Sequence, residues 1–139
     1  MTVIADTSYL FAIYNSKDIN HQVAADFAFQ TITDEMLVPD VVLPELAYIF
    51  VRDLGYAGLQ SLLGSFRKSE VELIPLEKSD LDRIYEITEM YASAEFDIVD
   101  CCIMALAERL QIRRIATFDR RDFSIFRPRH CDFLELLPQ

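Results

Sequence analysis

The chain has 139 residues, 52% of them apolar, with three glycines, five prolines and no low-complexity run or internal repeat; a single domain over residues 1–139 is expected. Its formal charge of −10 counts against indiscriminate binding of polyanions, since contacts with phosphates ordinarily use Lys and Arg. No stretch approaches the length of apolar sequence that a membrane helix needs, which excludes a spanning segment.

The start, Met1-Thr2-Val3-Ile4-Ala5-Asp6, lacks a basic region and meets an acid too early for a secretory signal, so a cytoplasmic location is expected. Cys101 and Cys102 are adjacent and Cys131 lies far along the chain. This spacing matches neither a disulfide framework nor a zinc site, and reduced, buried thiols are expected.

In chain order, the β-branched run Thr2–Ala5 predicts a buried strand that ends at Asp6. Thr7 or Ser8 is placed to cap a helix carrying Tyr9, Leu10, Ile13 and Tyr14. A second amphipathic helix is predicted over 20–31, with Val23, Ala24 and Phe27 inward, followed by a short strand, Met36–Pro39. Helices over 41–54 and 57–68 come next; Pro44 fits the first turn of the former, where a missing N–H costs little. The strand 71–75 leads to a helix over 79–92 capped by Ser79, and then to a helix over 98–110. The latter carries Val99, Ile103, Leu106 and Leu110 on one stripe. A strand at 114–117, a helical turn around 120–123 and an edge strand at 132–136 complete the chain. Strands alternating with helices predict an α/β protein whose mostly parallel sheet is covered on both faces.

The charge is unevenly spread. Between residues 113 and 129 lie six arginines (Arg113, Arg114, Arg120, Arg121, Arg127, Arg129) against two acids, so that segment is +4 and the rest −14. These arginines are candidates for contact with a nucleic acid or an acidic partner, with a solvated charged face as the alternative.

In a parallel sheet, reactive groups collect outside the carboxyl ends of the strands. Asp6 follows the first strand directly, and Asp119 follows the 114–117 strand after one residue. Asp100 sits in the first turn of a helix with Asp97 three residues earlier on the same side. Glu45 lies in the first turns of another helix, with Arg52 the nearest cation in sequence. Carboxylates brought together in a crevice repel one another and stay ionised only around a cation. Oxygen donors without matching His or Cys select a hard ion, Mg²⁺ or Mn²⁺, which suits phosphoryl transfer to water.

Four segments combine these acids: Val3-Ile-Ala-Asp-Thr-Ser-Tyr-Leu10, Leu43-Pro-Glu-Leu-Ala47, Val99-Asp-Cys-Cys-Ile-Met-Ala-Leu-Ala-Glu108 and Thr117-Phe-Asp-Arg-Arg-Asp-Phe123. Their order and spacing resemble those of PIN-domain proteins, from residue 3 to about 129, and in particular the toxins of VapBC toxin–antitoxin systems. The resemblance implies a three-layer α/β/α PIN-like fold, Mg²⁺-dependent endoribonuclease activity with Mn²⁺ as an alternative ion, a homodimer and a small VapB-like antitoxin. It assigns Asp6, Glu45, Asp100 and Asp119 as catalytic and metal-binding residues, with Ser8 and Thr117 orienting them. Asp97 and Asp122 take supporting positions. Cys101 and Cys102 stand where the family usually has small residues such as alanine.

Three alternatives stay open at this stage. A phosphatase with Asp6 as nucleophile is disfavoured, because such enzymes commonly carry a second Asp two residues on, where Ser8 stands, and no lysine lies near Asp100 or Asp119. A non-catalytic PIN-fold binding module would ordinarily lose one or more of the four acids. A PIN nuclease that processes RNA or cuts DNA outside any toxin pair shares the same motifs.

Overall fold

The computed structural model describes residues 1–139. At its centre is β1 (Thr2–Ala5), flanked by β2 (Glu35–Pro39) on one side and β4 (Arg114–Ala116) on the other. The edges are β3 (Glu72–Ile74), next to β2, and β5 (Glu135–Leu137), next to β4. All four pairings are parallel, giving the order β3-β2-β1-β4-β5. Val3, Ile4 and Ala5 are at most 1% exposed, which explains why the first strand is apolar at every position rather than at alternate ones.

α1 (Thr7–Tyr14) and α2 (His21–Gln30) carry the chain from β1 to β2, and α3 (Val42–Phe66) carries it on to β3. The path then reverses past the starting strand. α4 (Asp80–Met90), a 3-10 turn at Ala92–Ala94 and α5 (Ile98–Leu110) lead to β4, and α6 (Arg121–Ile125) precedes β5. Parallel crossovers are right-handed, so this reversal puts α1–α3 on one face of the sheet and the later helices on the other. Accordingly α1 packs against α2 and α3, while α5 packs against α4 and α6. The reversal also opens a crevice between the carboxyl ends of β1 and β4.

The core runs through both layers, with Tyr9, Leu46, Phe50, Ile103, Leu106, Phe123 and Phe126 fully enclosed. α5 is the most deeply buried helix: every residue from Asp100 to Glu108 is buried. Cys101 and Cys102 are free thiols within it, small enough for the tight packing. Arg83 of α4 reaches Glu108 of α5 through two bonds of 2.7 and 3.0 Å, and Glu108 also accepts the Arg129 N–H at 2.8 Å.

The two helices expected at 41–54 and 57–68 are both present within Val42–Phe66, separated by a kink at Gly55, whose φ of 75° and ψ of 179° are non-helical and suit glycine alone. Other local expectations are corrected. Val23 is 47% exposed, so α2 buries only Ala24 and Phe27. Neither Thr7 nor Ser8 caps α1; Asp6 does, accepting the Thr7 N–H. Ser79 makes no capping bond. Asp80 satisfies the start of α4 instead, accepting the Glu77 N–H at 2.9 Å while paired with Arg109.

Candidate active site

Asp6 stands at the last rung of β1, where its N–H still bonds the Ala116 carbonyl at 2.9 Å. Its position is therefore fixed by the sheet, and its carboxylate by two donors. One oxygen accepts the Thr7 N–H and the other the Thr117 hydroxyl, each at 2.7 Å. Asp6 is 3% exposed and Thr117 is fully buried.

Thr117, one residue beyond β4, is the hub of the crevice. With its proton committed to Asp6, its oxygen accepts from Ser8 Oγ and from the Asp119 N–H, each at 3.1 Å. Ser8 Oγ in turn accepts the Phe118 N–H at 2.9 Å. The two hydroxyls thus tie the turn bearing Asp119 to the start of α1. The Asp119 side chain itself is exposed and makes no hydrogen bond or ion pair.

Asp100 enters from α5 and Glu45 from α3. Asp100 is 6% exposed, whereas Glu45 is half-buried and has no hydrogen-bond or ion-pair partner. Asp97 caps α5, accepting the Val99 N–H at 3.0 Å, and its own N–H donates to Asp122 at 3.0 Å. Asp122, buried and paired with Arg121 at 2.8 Å, therefore holds the N-terminus of α5 against α6.

These elements enclose a cleft of about 440 Å³ lined by Asp6, Thr7, Ser8, Phe11, Glu45, Ile49, Arg52, Asp53, Asp97, Asp100 and Asp119. All four acids expected to form the site line it, as does Asp97; Asp122 lies behind. A larger cleft of about 690 Å³ opens at the amino ends of β2 and β3, between Tyr9, Tyr14 and Met36, away from this cluster.

Burial and crowding mark the electrostatics. Burial pushes the Asp6 carboxyl up from 3.8 to about 6; its two donors oppose the rise, and repulsion from Glu45 and Asp119 adds to it. Asp100 is also held well above the ordinary carboxylate range, by burial first and then by the charge of Asp6 and the adjacent Asp122 and Asp97. The cleft is therefore strained electrostatically in the absence of positive charge.

The arginine-rich segment does not supply that charge, for none of its six arginines lines the cleft. Arg114 pairs with Glu135, Arg120 bonds the Thr117 and Pro138 carbonyls, and Arg121 bonds Asp122 and the Ala94 carbonyl. Arg127 caps carbonyls at 124–126, and Arg129 pairs with Glu86. Arg113 is exposed and makes no such bond. The cation that does line the cleft is Arg52, a residue not expected there. Its signal was its spacing: seven residues after Glu45 is two helical turns, hence the same face.

The PIN-domain sequence family matches residues 3–127. The chain belongs to the PIN-domain family. Within it, the chain is 27% identical over 126 residues to Ribonuclease VapC26 of Mycobacterium tuberculosis, an alignment covering 91% of this chain and 93% of that protein. Among solved structures it resembles VapC20 of Mycobacterium tuberculosis, described as a sarcin-ricin loop cleaving toxin, with a TM-score of 0.81 and 18% identity over 98% of this chain and 99% of the other. It also resembles VapBC2 from Rickettsia felis bound to a promoter DNA fragment, with a TM-score of 0.71 and 19% identity over 99% and 98%. At these identities the structural likeness is one of fold: the three-layer PIN arrangement of a parallel sheet between helices.

Proposed function

We propose that this PIN-domain chain is a divalent-metal-dependent endoribonuclease, the toxin of a VapBC-type pair, whose site is the cleft holding Asp6, Glu45, Asp100 and Asp119. The observation that carries this reading is the convergence of those four acids, from four separate elements, at the switch point of the sheet. The kinship with Ribonuclease VapC26 supports RNA as the substrate, and the fold shared with VapBC2 from Rickettsia felis accords with a small VapB-like antitoxin as the partner.

The residues fit a hard divalent cation. Every side-chain atom in the cleft able to ligate a cation is a carboxylate or hydroxyl oxygen, and the burial and mutual repulsion that raise the carboxyls of Asp6 and Asp100 would be relieved by a positive charge there. No three acidic side chains are arranged to close on one ion. That suits Mg²⁺, which keeps several waters and binds through one or two carboxylates rather than in a full protein cage. Asp6 and Asp100, the most deeply buried, would hold the ion directly, with Glu45 and Asp119 facing its waters. Once bound, the ion supplies Lewis acidity that generates a nucleophile from water at neutral pH and offsets charge on the phosphoryl group.

The chain's own residues do the rest. Thr117 and the Thr7 N–H hold both oxygens of Asp6, so the carboxylate presents one orientation. Ser8 fixes the Asp119 turn through the Phe118 N–H, keeping that acid over the cleft. Glu45, unpaired, is free to take a proton from the attacking water as its oxygen bonds to phosphorus and the P–O bond to the leaving sugar breaks. The leaving alkoxide takes a proton from solvent, since Asp119 borders the open side of the cleft.

A homodimer and a cytoplasmic location accompany this reading; no helix is long and apolar enough to cross a membrane. The test is RNA cleavage by the purified protein with Mg²⁺, with EDTA, and with Asp6→Asn. Cleavage should require Mg²⁺ and be lost in the variant. Activity in EDTA, or full activity in Asp6→Asn, would overturn the mechanism.

A further inference from the structure

An acidic cleft poses a problem for a polyanionic substrate. Six carboxylates line it (Asp6, Glu45, Asp53, Asp97, Asp100 and Asp119), and Arg52 is the sole lining cation. Metal ions placed among the inner four would offset charge at the scissile phosphate and leave neighbouring phosphates facing Asp53 and Asp97.

Glu45, Ile49 and Arg52 follow one another at i, i+4 and i+7 on α3, and all three line the cleft. The seven-residue step displaces Arg52 by about 10 Å along the helix from Glu45. That offset sets Arg52 two turns along the α3 wall of the cleft from Glu45, a spacing that suits a flanking phosphate rather than the reacting one. Phe11 and Ile49 add an apolar wall to the same cleft, a surface suited to a base or ribose face and offering no competing donor.

We propose that Arg52 is the substrate-strand clamp: it grips a backbone phosphate next to the scissile one in single-stranded RNA, with the intervening nucleotide against Phe11 and Ile49. This inference rests on the nuclease reading of the cleft. In the free protein Arg52 is held by its chain neighbour, Asp53, through bonds of 2.8 and 3.2 Å. Both side chains are exposed, at 57% and 38%, and such a surface pair contributes little and exchanges readily. The planar guanidinium fork that now faces a carboxylate matches a phosphate equally well. Asp53 thus acts as a resident competitor, shielding the cleft from casual anions until a strand with the rest of the contacts arrives.

The pair makes the proposal testable by sign. A fluorescently labelled single-stranded RNA oligonucleotide is titrated by anisotropy over a salt series with Mg²⁺, in the Asp6→Asn background to prevent cleavage. Arg52→Gln should lower the log–log salt slope by about 0.7 and weaken binding about five-fold at 0.1 M salt, the share of one phosphate contact on a single strand. Arg52→Lys should retain the slope, and Asp53→Asn should tighten binding. A purely structural ion pair would make Arg52→Gln and Asp53→Asn act in the same direction, and an unchanged slope in Arg52→Gln would remove the clamp; either result overturns the proposal. Cleavage by the protein with native Asp6 is measured alongside. Cleavage with an unchanged slope sinks the clamp alone, whereas the slope change without cleavage sustains RNA contact at Arg52 and sinks the nuclease reading.

Discussion

Replacing Asp6 by Asn should stabilise the metal-free protein at alkaline pH and destabilise it at acid pH. The carboxyl rises from 3.8 to about 6 on folding, roughly two units, which corresponds to about 3 kcal/mol. A raised carboxyl binds its proton more tightly in the folded state. Its contribution is fully favourable below pH about 4, is lost as pH climbs to about 6, and leaves the ionised group a burden above that. Asn carries no charge, so it escapes the burden. It also turns an acceptor into a donor, so either the Thr7 N–H or the Thr117 hydroxyl loses its partner, at a cost of about 1 kcal/mol. The net expectation in EDTA is a gain of about 1–2 kcal/mol at pH 8 and a loss of about 1 kcal/mol at pH 4. Urea denaturation of both proteins at the two pH values measures this directly. Added Mg²⁺ should reverse the order at pH 8, because it stabilises the native protein and not the variant. Equal destabilisation by Asp6→Asn at both pH values would refute the reasoning, since it would mean that the carboxylate is not strained when ionised.

Three further outcomes are expected. Thr117→Val removes the donor to Asp6 and unties Ser8 from the Asp119 turn, so cleavage should fall about 10- to 100-fold with a higher Mg²⁺ requirement, read from a Mg²⁺ titration of the rate. Asp122→Ala leaves the Asp97 N–H without its acceptor and should cost about 1–3 kcal/mol, whereas Asp122→Asn keeps an acceptor and should cost less; calorimetric melting distinguishes them. Arg83→Ala strands Glu108 between α4 and α5 and should cost about 3 kcal/mol by denaturant titration, while cleavage per folded molecule stays unchanged.

How much of this was legible in the sequence follows from how local each constraint is. Asp6 and Asp119 could be placed because the apolar run before each is so short that the acid must emerge at a strand's carboxyl end. Asp100 was legible from its helix, whose buried stripe leaves the first turn to face the crevice. Glu45 required a tertiary argument, since nothing in its own helix directs it toward β1. The arginines from 113 to 129 cluster in sequence without lining the cleft. They are neighbours in sequence, but strand, turn, short helix and loop send them to Glu135, Pro138, Ala94 and Glu86 in turn, away from the cleft. Arg52 was named only as the cation nearest Glu45 in sequence and was not placed in the cleft, since a search for clustered charge passes over a lone residue two helical turns away. The break at Gly55 was legible because a glycine between two helical patterns marks a residue free to leave the helical backbone, as it does here.

The chemistry of the cut ends bears most directly on the central claim that the acid cluster directs water onto phosphorus. RNA cleaved by the purified protein in Mg²⁺ should carry hydroxyl and phosphomonoester ends, with no 2′,3′-cyclic phosphate, and a 2′-deoxy substitution at the cut position should leave the bond cleavable. Cyclic phosphate ends, or a bond made resistant by loss of the 2′-hydroxyl, would mean that the substrate supplies its own nucleophile, contradicting water attack at Asp6, Glu45, Asp100 and Asp119.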